Sequence, residues 1–168
     1  MKIEGISPGY ERYLKDESRV EGKAESICFP ETVSDAVEAV RRAYKEKVQI
    51  TVQGARTGLT GAAVPEKGSI LNFSKMKGEL KFNEDGSLYA EAGVTLKEIH
   101  DYLRKSKVCF LPNPTEDTAA IGGMFGCNAM GIDGRDTASS VLGLRWINGK
   151  GDLWEIKRGS YIFDKQGC

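Results

Sequence analysis

The feature that most constrains this chain is a β-branched run that empties directly into a glycine-rich turn. Val48-Gln49-Ile50-Thr51-Val52 is followed without a linker by Gln53-Gly54-Ala55-Arg56-Thr57-Gly58-Leu59-Thr60-Gly61-Ala62-Ala63. β-branched side chains suit a pleated, half-buried strand. Clustered glycines then allow a close backbone approach that a Cβ would block. Upstream, residues 26–29 read as a short strand. Thr32, with Asp35 three residues on, reads as a capped helix start. Val33, Ala36, Val37, Val40 and Tyr44 recur at helical spacing and predict the apolar face, with Arg41, Arg42 and Lys45 toward water. Residues 69–73 give the next strand. Strand, capped helix and strand make a βαβ unit, whose crossover is right-handed as a rule.

The second half differs. Residues 80–82 and 88–91 flank Asn83-Glu84-Asp85-Gly86 and predict a hairpin. Thr95 and Glu98 make a capping box for a helix that places Leu96, Ile99 and Leu103 on one face. Residues 110–134 read as loop. Residues 141–147 and 153–156 flank Asn148-Gly149-Lys150-Gly151-Asp152, a second hairpin signal. The expected class is α+β, a small parallel βαβ lobe over about residues 20–75 and a larger antiparallel lobe over about 76–168.

Two segments carry chemistry. The first, residues 53–65, can point several backbone N–H groups at one anion, with Thr57 and Thr60 hydroxyls and the Arg56 charge nearby. It is not a Walker loop, because Gly61 is followed by Ala62 rather than Lys. It is not a Rossmann fingerprint either, because its glycines are spaced G-x-x-x-G-x-x-G. The second, Pro112-Asn113-Pro114-Thr115 and then residues 119–131, is small, proline-stiffened and poor in charge, which suits contact with a flat ring system. Taken singly, a ligand-free glycine turn and a closely packed corner satisfy the same compositions. Together they suit a long ligand with phosphates in the middle and rings at its ends.

Composition removes other classes. Lys+Arg and Asp+Glu both number 24, so the formal net charge is zero and gives no general pull toward nucleic acid or an anionic membrane surface. Cys28, Cys109, Cys127 and Cys168 include no C-x-x-C pair, and His100 is the single histidine, which argues against a metal site. Reduced thiols and an N-terminus without an apolar signal core predict a cytoplasmic protein. No apolar run reaches the length of a membrane span.

Residues 53–65 (QGARTGLTGAAVP) and 112–131 (PNPTEDTAAIGGMFGCNAMG) resemble the FAD-binding domain shared by vanillyl-alcohol oxidase and p-cresol methylhydroxylase. Within it they resemble the glycolate oxidase D-subunit and D-lactate dehydrogenase branch, as do residues 13–17, 30–37, 92–96 and 141–144. The resemblance implies a two-lobed FAD-binding (PCMH-type) domain with FAD in the crevice. It implies that Gln53, Gly54, Ala55, Arg56, Thr57, Gly58 and Leu59 wrap the pyrophosphate. Pro112, Asn113, Pro114, Thr115, Thr118, Ile121, Gly122 and Gly123 would lie near the isoalloxazine and ribityl chain, continued by Cys127, Asn128 and Gly131. The first loop has no histidine for a covalent flavin link, so non-covalent FAD is expected.

The implied activity is hydride transfer to the flavin from a small 2-hydroxy acid such as lactate or glycolate. The alternatives are a non-catalytic FAD or nucleotide-binding module, or a subunit needing a second chain. The chain departs from the branch in two places. The interval 132–140 is short, and the later part of the second lobe and the substrate-binding cap domain are missing. The domain is therefore expected to be C-terminally incomplete, with a second chain or self-association through the incomplete sheet. No catalytic residue is assigned: Asp16, Glu17, Arg135 and Asp136 read as surface or structural groups.

Overall fold

A computed structural model describes residues 2–106, 108–110 and 113–159. Four strands form the first sheet: β1 (Ile3–Gly5), β2 (Ser26–Cys28), β3 (Ile50–Gln53) and β4 (Ser69–Asn72), in the order β1-β2-β4-β3. β2 and β3 both pair parallel with β4, and β1 is antiparallel to β2. The two strands of the βαβ unit therefore do not touch. β4 takes the centre because Ile70, Leu71 and Asn72 are its buried residues, and the core accepts its apolar pair on both faces. Strand β1 and the 3-10 turn Pro8–Leu14 lack the length for a periodic signal and are not predicted by the sequence pattern.

Helix α1 (Val33–Glu46) starts at the expected capping box. Thr32 Oγ1 accepts from the Asp35 N–H at 3.1 Å, and the Thr32 N–H donates to Asp35 Oδ2 at 3.0 Å. Its buried stripe is Ala36, Ala39 and Ala43, while Tyr44 points outward, so the stripe is rotated from the predicted one. Alanines let the helix lie close on the sheet, and that closeness outweighs burying a larger ring. Arg41 also departs from a purely solvated role, donating to the Gly151 carbonyl at 3.1 Å.

Beyond β4, the hairpin β5 (Leu80–Phe82) and β6 (Leu88–Ala90) packs with α2 (Leu96–Leu103) around Val94, Ile99 and Leu103. The Thr95–Glu98 capping box forms as read, with Leu96, Ile99 and Leu103 buried. The expected loop at 110–134 instead contains a helix, α3 (Ile121–Gly126). Three glycines lower its intrinsic propensity. Packing of Met124 against Leu96 and Ala119 overrides that preference. A four-residue turn, α4 (Thr137–Ser140), leads into the hairpin β7 (Gly143–Ile147) and β8 (Leu153–Lys157). On one face of that hairpin Trp146 lies directly opposite Trp154, and both rings are about half exposed. No helix among the described residues is long and apolar enough to cross a membrane.

Candidate functional site

Strands β2, β3 and β4 run parallel, so the turn after β3 and the turn after β4 open at the same carboxyl end of the sheet. Ligands of parallel α/β sheets collect there. The first loop leaves β3 at Gln53, which is 1% exposed. Its side-chain amide donates to the Tyr13 carbonyl at 2.8 Å and to the Ala63 carbonyl at 2.7 Å. Its Oε1 accepts from the Asn72 amide at 3.1 Å, and that amide also reaches the Gly54 carbonyl at 3.3 Å. Asn72 Oδ1 accepts from the Ser74 N–H. Gln53 thus spends its side chain inward. It ties both ends of the loop to β4 and to the N-terminal segment and leaves only its backbone to face a ligand.

Between these anchors the backbone is open. Among the described residues, no backbone N–H of residues 55–60 donates to a protein acceptor. Gly58 has no atom within 4 Å of where a Cβ would stand. A row of uncommitted N–H groups beside space that a side chain would fill suits a diphosphate. Thr57 is half-buried, and Leu59 is exposed. Arg56 has φ 63°, a left-handed conformation unusual for a residue with its side chain, and its guanidinium lies 4.3 Å from the Tyr13 ring centroid. Burial pulls the Arg56 guanidinium below its ordinary pKa, and Tyr13 opposes that shift.

The second segment meets the first. A Cβ placed on Gly54 would stand 3.2 Å from Ala120 Cβ and 3.8 Å from Gly123 N. Ile121 N–H and Gly122 N–H are held by the Val94 and Ala92 carbonyls at 2.8 and 3.0 Å, which fixes the start of α3 against the turn before α2. Gly122 packs so tightly on Ala92 that no Cβ fits, whereas Gly123 faces open space. Two segments about 60 residues apart in sequence therefore share one small-residue seam with an open side.

The remaining expected residues lie farther along. Cys127 and Asn128 follow α3 and are exposed. Asn128 Oδ1 accepts from the Ala138 N–H at 2.9 Å, so it braces α4. Gly131 is buried against Asn113, and a Cβ there would come within 3.1 Å of the Asn113 backbone. Pro114 is half-buried, Thr115 is exposed, and Thr118 bonds within its own turn to Glu116. Among the described residues, 113–118 make no hydrogen bond to the first loop. Pro112 lies outside the described residues.

Three groups that hold the first loop went unread as such in the sequence: Asn72, Tyr13 and Asp16. Burial works to raise the Asp16 carboxyl, but hydrogen bonds from Ser18 and the Ala63 backbone outweigh it and hold the group below its ordinary pKa. Its Oδ1 accepts from Ser18 N at 2.9 Å. Its Oδ2 is buried without a partner of full hydrogen-bonding geometry. An acidic residue three positions after Tyr13 was the available signal, and only its burial in the fold gives it meaning. A groove of about 410 Å³ runs between residues 49–52 and the far end of the first loop at Gly61, Ala62 and Val64, and one of about 700 Å³ lies at the opposite, amino end of the sheet beside Ser26 and Gly68. Neither lies on the Gly54–Gly123 seam. Among the described residues no cluster of His, Cys, Asp and Glu is arranged to hold a metal ion.

Comparison with known proteins bears on the family and the fold. The family described as FAD binding domain matches residues 24–157. D-lactate dehydrogenase of Archaeoglobus fulgidus is 38% identical over 102 residues, covering 59% of this chain and 23% of that protein. D-2-hydroxyglutarate dehydrogenase of Stutzerimonas stutzeri is 32% identical over 140 residues, covering 79% of this chain and 30% of that protein. The chain thus spans less than a third of either relative's length. Among solved structures, p-cresol methylhydroxylase with substrate bound aligns at TM-score 0.78 and 19% identity, over 98% of this chain and 34% of that one. Phl p 4, a grass pollen allergen with glucose dehydrogenase activity, aligns at 0.79 and 20%, over 91% and 35%. At these identities the likeness speaks to the fold alone, and that fold is the expected PCMH-type α+β one.

Proposed function

Since this chain belongs to the FAD binding domain family, we propose that it is the nucleotide-holding part of a flavin-dependent oxidoreductase acting on a small 2-hydroxy acid. The observation that carries the reading is the seam at which Gly54 meets Ala120 and Gly123. It joins a loop suited to a diphosphate to a segment suited to a flat ring.

In this reading residues 54–59 hold the diphosphate through backbone N–H groups and the Thr57 hydroxyl. Asn113 to Thr115, Thr118, Ile121 to Gly123, Cys127, Asn128 and Gly131 border the ring and its chain. Pro112 belongs to the same proposed wall. Bound FAD would supply the hydride acceptor. The protein's own part is to orient it through the Gln53–Asn72 lock and to exclude side chains from its approach with Gly58 and Gly123. With no histidine in residues 53–65, the FAD is held non-covalently and is dissociable. The 2-hydroxy-acid class is carried over from the named activities of the relatives.

The reading extends to a partner and a location. The half-exposed Trp146 and Trp154 suit coverage by a second chain or a second copy, which would complete the site. Thiols at Cys28, Cys109 and Cys127, all free, suit the reducing cytoplasm.

The test has two steps. FAD should raise the melting temperature and be retained as a yellow complex. Anaerobic mixing of that complex with D-lactate, D-2-hydroxyglutarate and glycolate should bleach the flavin with at least one of them. FAD binding without bleaching by any hydroxy acid would favour the non-catalytic binding module. No binding would end the FAD reading.

A further inference from the structure

We infer that Arg12 and Arg56, gathered on the ring of Tyr13, form a two-arginine anion site that takes the diphosphate of the bound dinucleotide. This rests on the FAD reading above and extends the site to a segment ahead of the family match, which begins at residue 24.

The geometry is a shared platform. Arg56 Cζ is 4.3 Å and Arg12 Cζ 5.0 Å from the Tyr13 ring centroid, and Arg12 Nη2 donates to the Tyr13 hydroxyl at 3.1 Å. The platform itself cannot drift. Tyr13 is buried, packs edge-on to Phe29 at 5.2 Å, touches Tyr10 at 6.1 Å, and gives its carbonyl to the Gln53 amide. The residue that starts the glycine loop is therefore bonded to the residue that carries the two guanidiniums.

The charge is unbalanced. Among the described residues, neither Arg12 nor Arg56 stands within ion-pair distance of a carboxylate. Arg12 and Arg56 repel each other, and Glu17 acts on Arg56 only from beyond that distance. Two guanidiniums collected on one ring repel each other until an anion joins them. Arg56 also holds the left-handed φ of 63° that most side chains avoid. Strain of this kind persists where the surroundings fix it, and here the ring does so. Both features sit beside the uncommitted N–H groups of residues 55–60, so the ligand they suit is a polyanion with several acceptor oxygens. Guanidinium and phosphate match as bidentate partners.

Three probes on the full chain test this: FAD, riboflavin (which lacks the diphosphate) and inorganic pyrophosphate. Arg12 is exposed, so R12Q should fold and melt as the wild type does. R12Q should weaken FAD and pyrophosphate about tenfold, leave riboflavin unchanged, and flatten the salt dependence of FAD affinity. R56Q should act in the same direction. If R12Q melts early, R12M, which keeps its stem over the ring, is read the same way.

Unchanged FAD affinity and salt dependence in R12Q would overturn the inference and leave the FAD reading standing. So would equal weakening of riboflavin and FAD, which marks a purely structural arginine. Pyrophosphate binding that depends on Arg12, without FAD binding, would remove the FAD reading and keep the anion site. Binding of none of the three would remove both.

Discussion

The Asn72 side-chain amide donates to Gln53 Oε1 at 3.1 Å, across the carboxyl ends of adjacent parallel strands, with Asn72 0% and Gln53 1% exposed. A buried amide pair of this kind is valuable only when every valence is filled. Here the remaining donors and acceptors go to Gly54 and Ala63 of the glycine loop, to Tyr13 of the N-terminal segment and to Ser74 just after β4. The pair sets where the loop starts and how it closes.

Removing one partner leaves the other buried and unmatched. Asn72→Ala should cost about 2–4 kcal/mol, because it strands Gln53 Oε1, the Gly54 carbonyl and the Ser74 N–H together. The denaturant midpoint should fall with little change in slope. FAD affinity should fall as well, since the loop loses its anchor. A double-mutant cycle with Gln53→Ala should be non-additive; additivity would mean the two amides do not act as a unit.

Two glycines separate packing from binding. Gly58→Ala meets no atom within 4 Å, so stability should change by less than about 0.5 kcal/mol while FAD affinity drops. Gly54→Val presses on Ala120 and should cost about 1–3 kcal/mol, weakening FAD through the displaced seam. Calorimetric titration with FAD beside thermal melts checks both. Full affinity in Gly58→Ala would remove the first loop from the site.

The Cys28 thiol is 3% exposed, and burial pushes it up to about 11 from an ordinary value of 9. The folded state keeps a proton that the unfolded state loses, so this contribution is intact below pH 9 and is lost as pH climbs toward 11. The denaturation midpoint should therefore fall over that window, and Cys28→Ala should flatten the fall. At pH 8, Cys109 and Cys127, both exposed, should react with a disulfide reagent, and Cys28 only after unfolding.

Both capping boxes should register separately. Thr32→Ala and Thr95→Ala each remove the acceptor for an N3 backbone N–H and should each cost about 1 kcal/mol. Helical circular dichroism with urea unfolding reads both. A neutral Thr32→Ala would mean that the Asp35 carboxylate alone caps α1.

The sequence by itself determined several local elements and the glycine-rich turn that follows β3. Capping boxes at Thr32 and Thr95, the β-branched run into Gln53 and the polar turns at 83–86 and 148–152 depend on neighbours within a few residues, so they are legible along the chain. Only the tertiary structure decided the rest. It placed β4 between β2 and β3, turned Ala36, Ala39 and Ala43 rather than Tyr44 inward, and folded Ile121–Gly126 into a helix despite its glycines. It also closed Gln53 on Asn72 and gathered Arg12 and Arg56 on Tyr13. Each of these is a contact between residues remote in sequence, whose free energy comes from burial and from filling polar valences, and no local propensity carries that information.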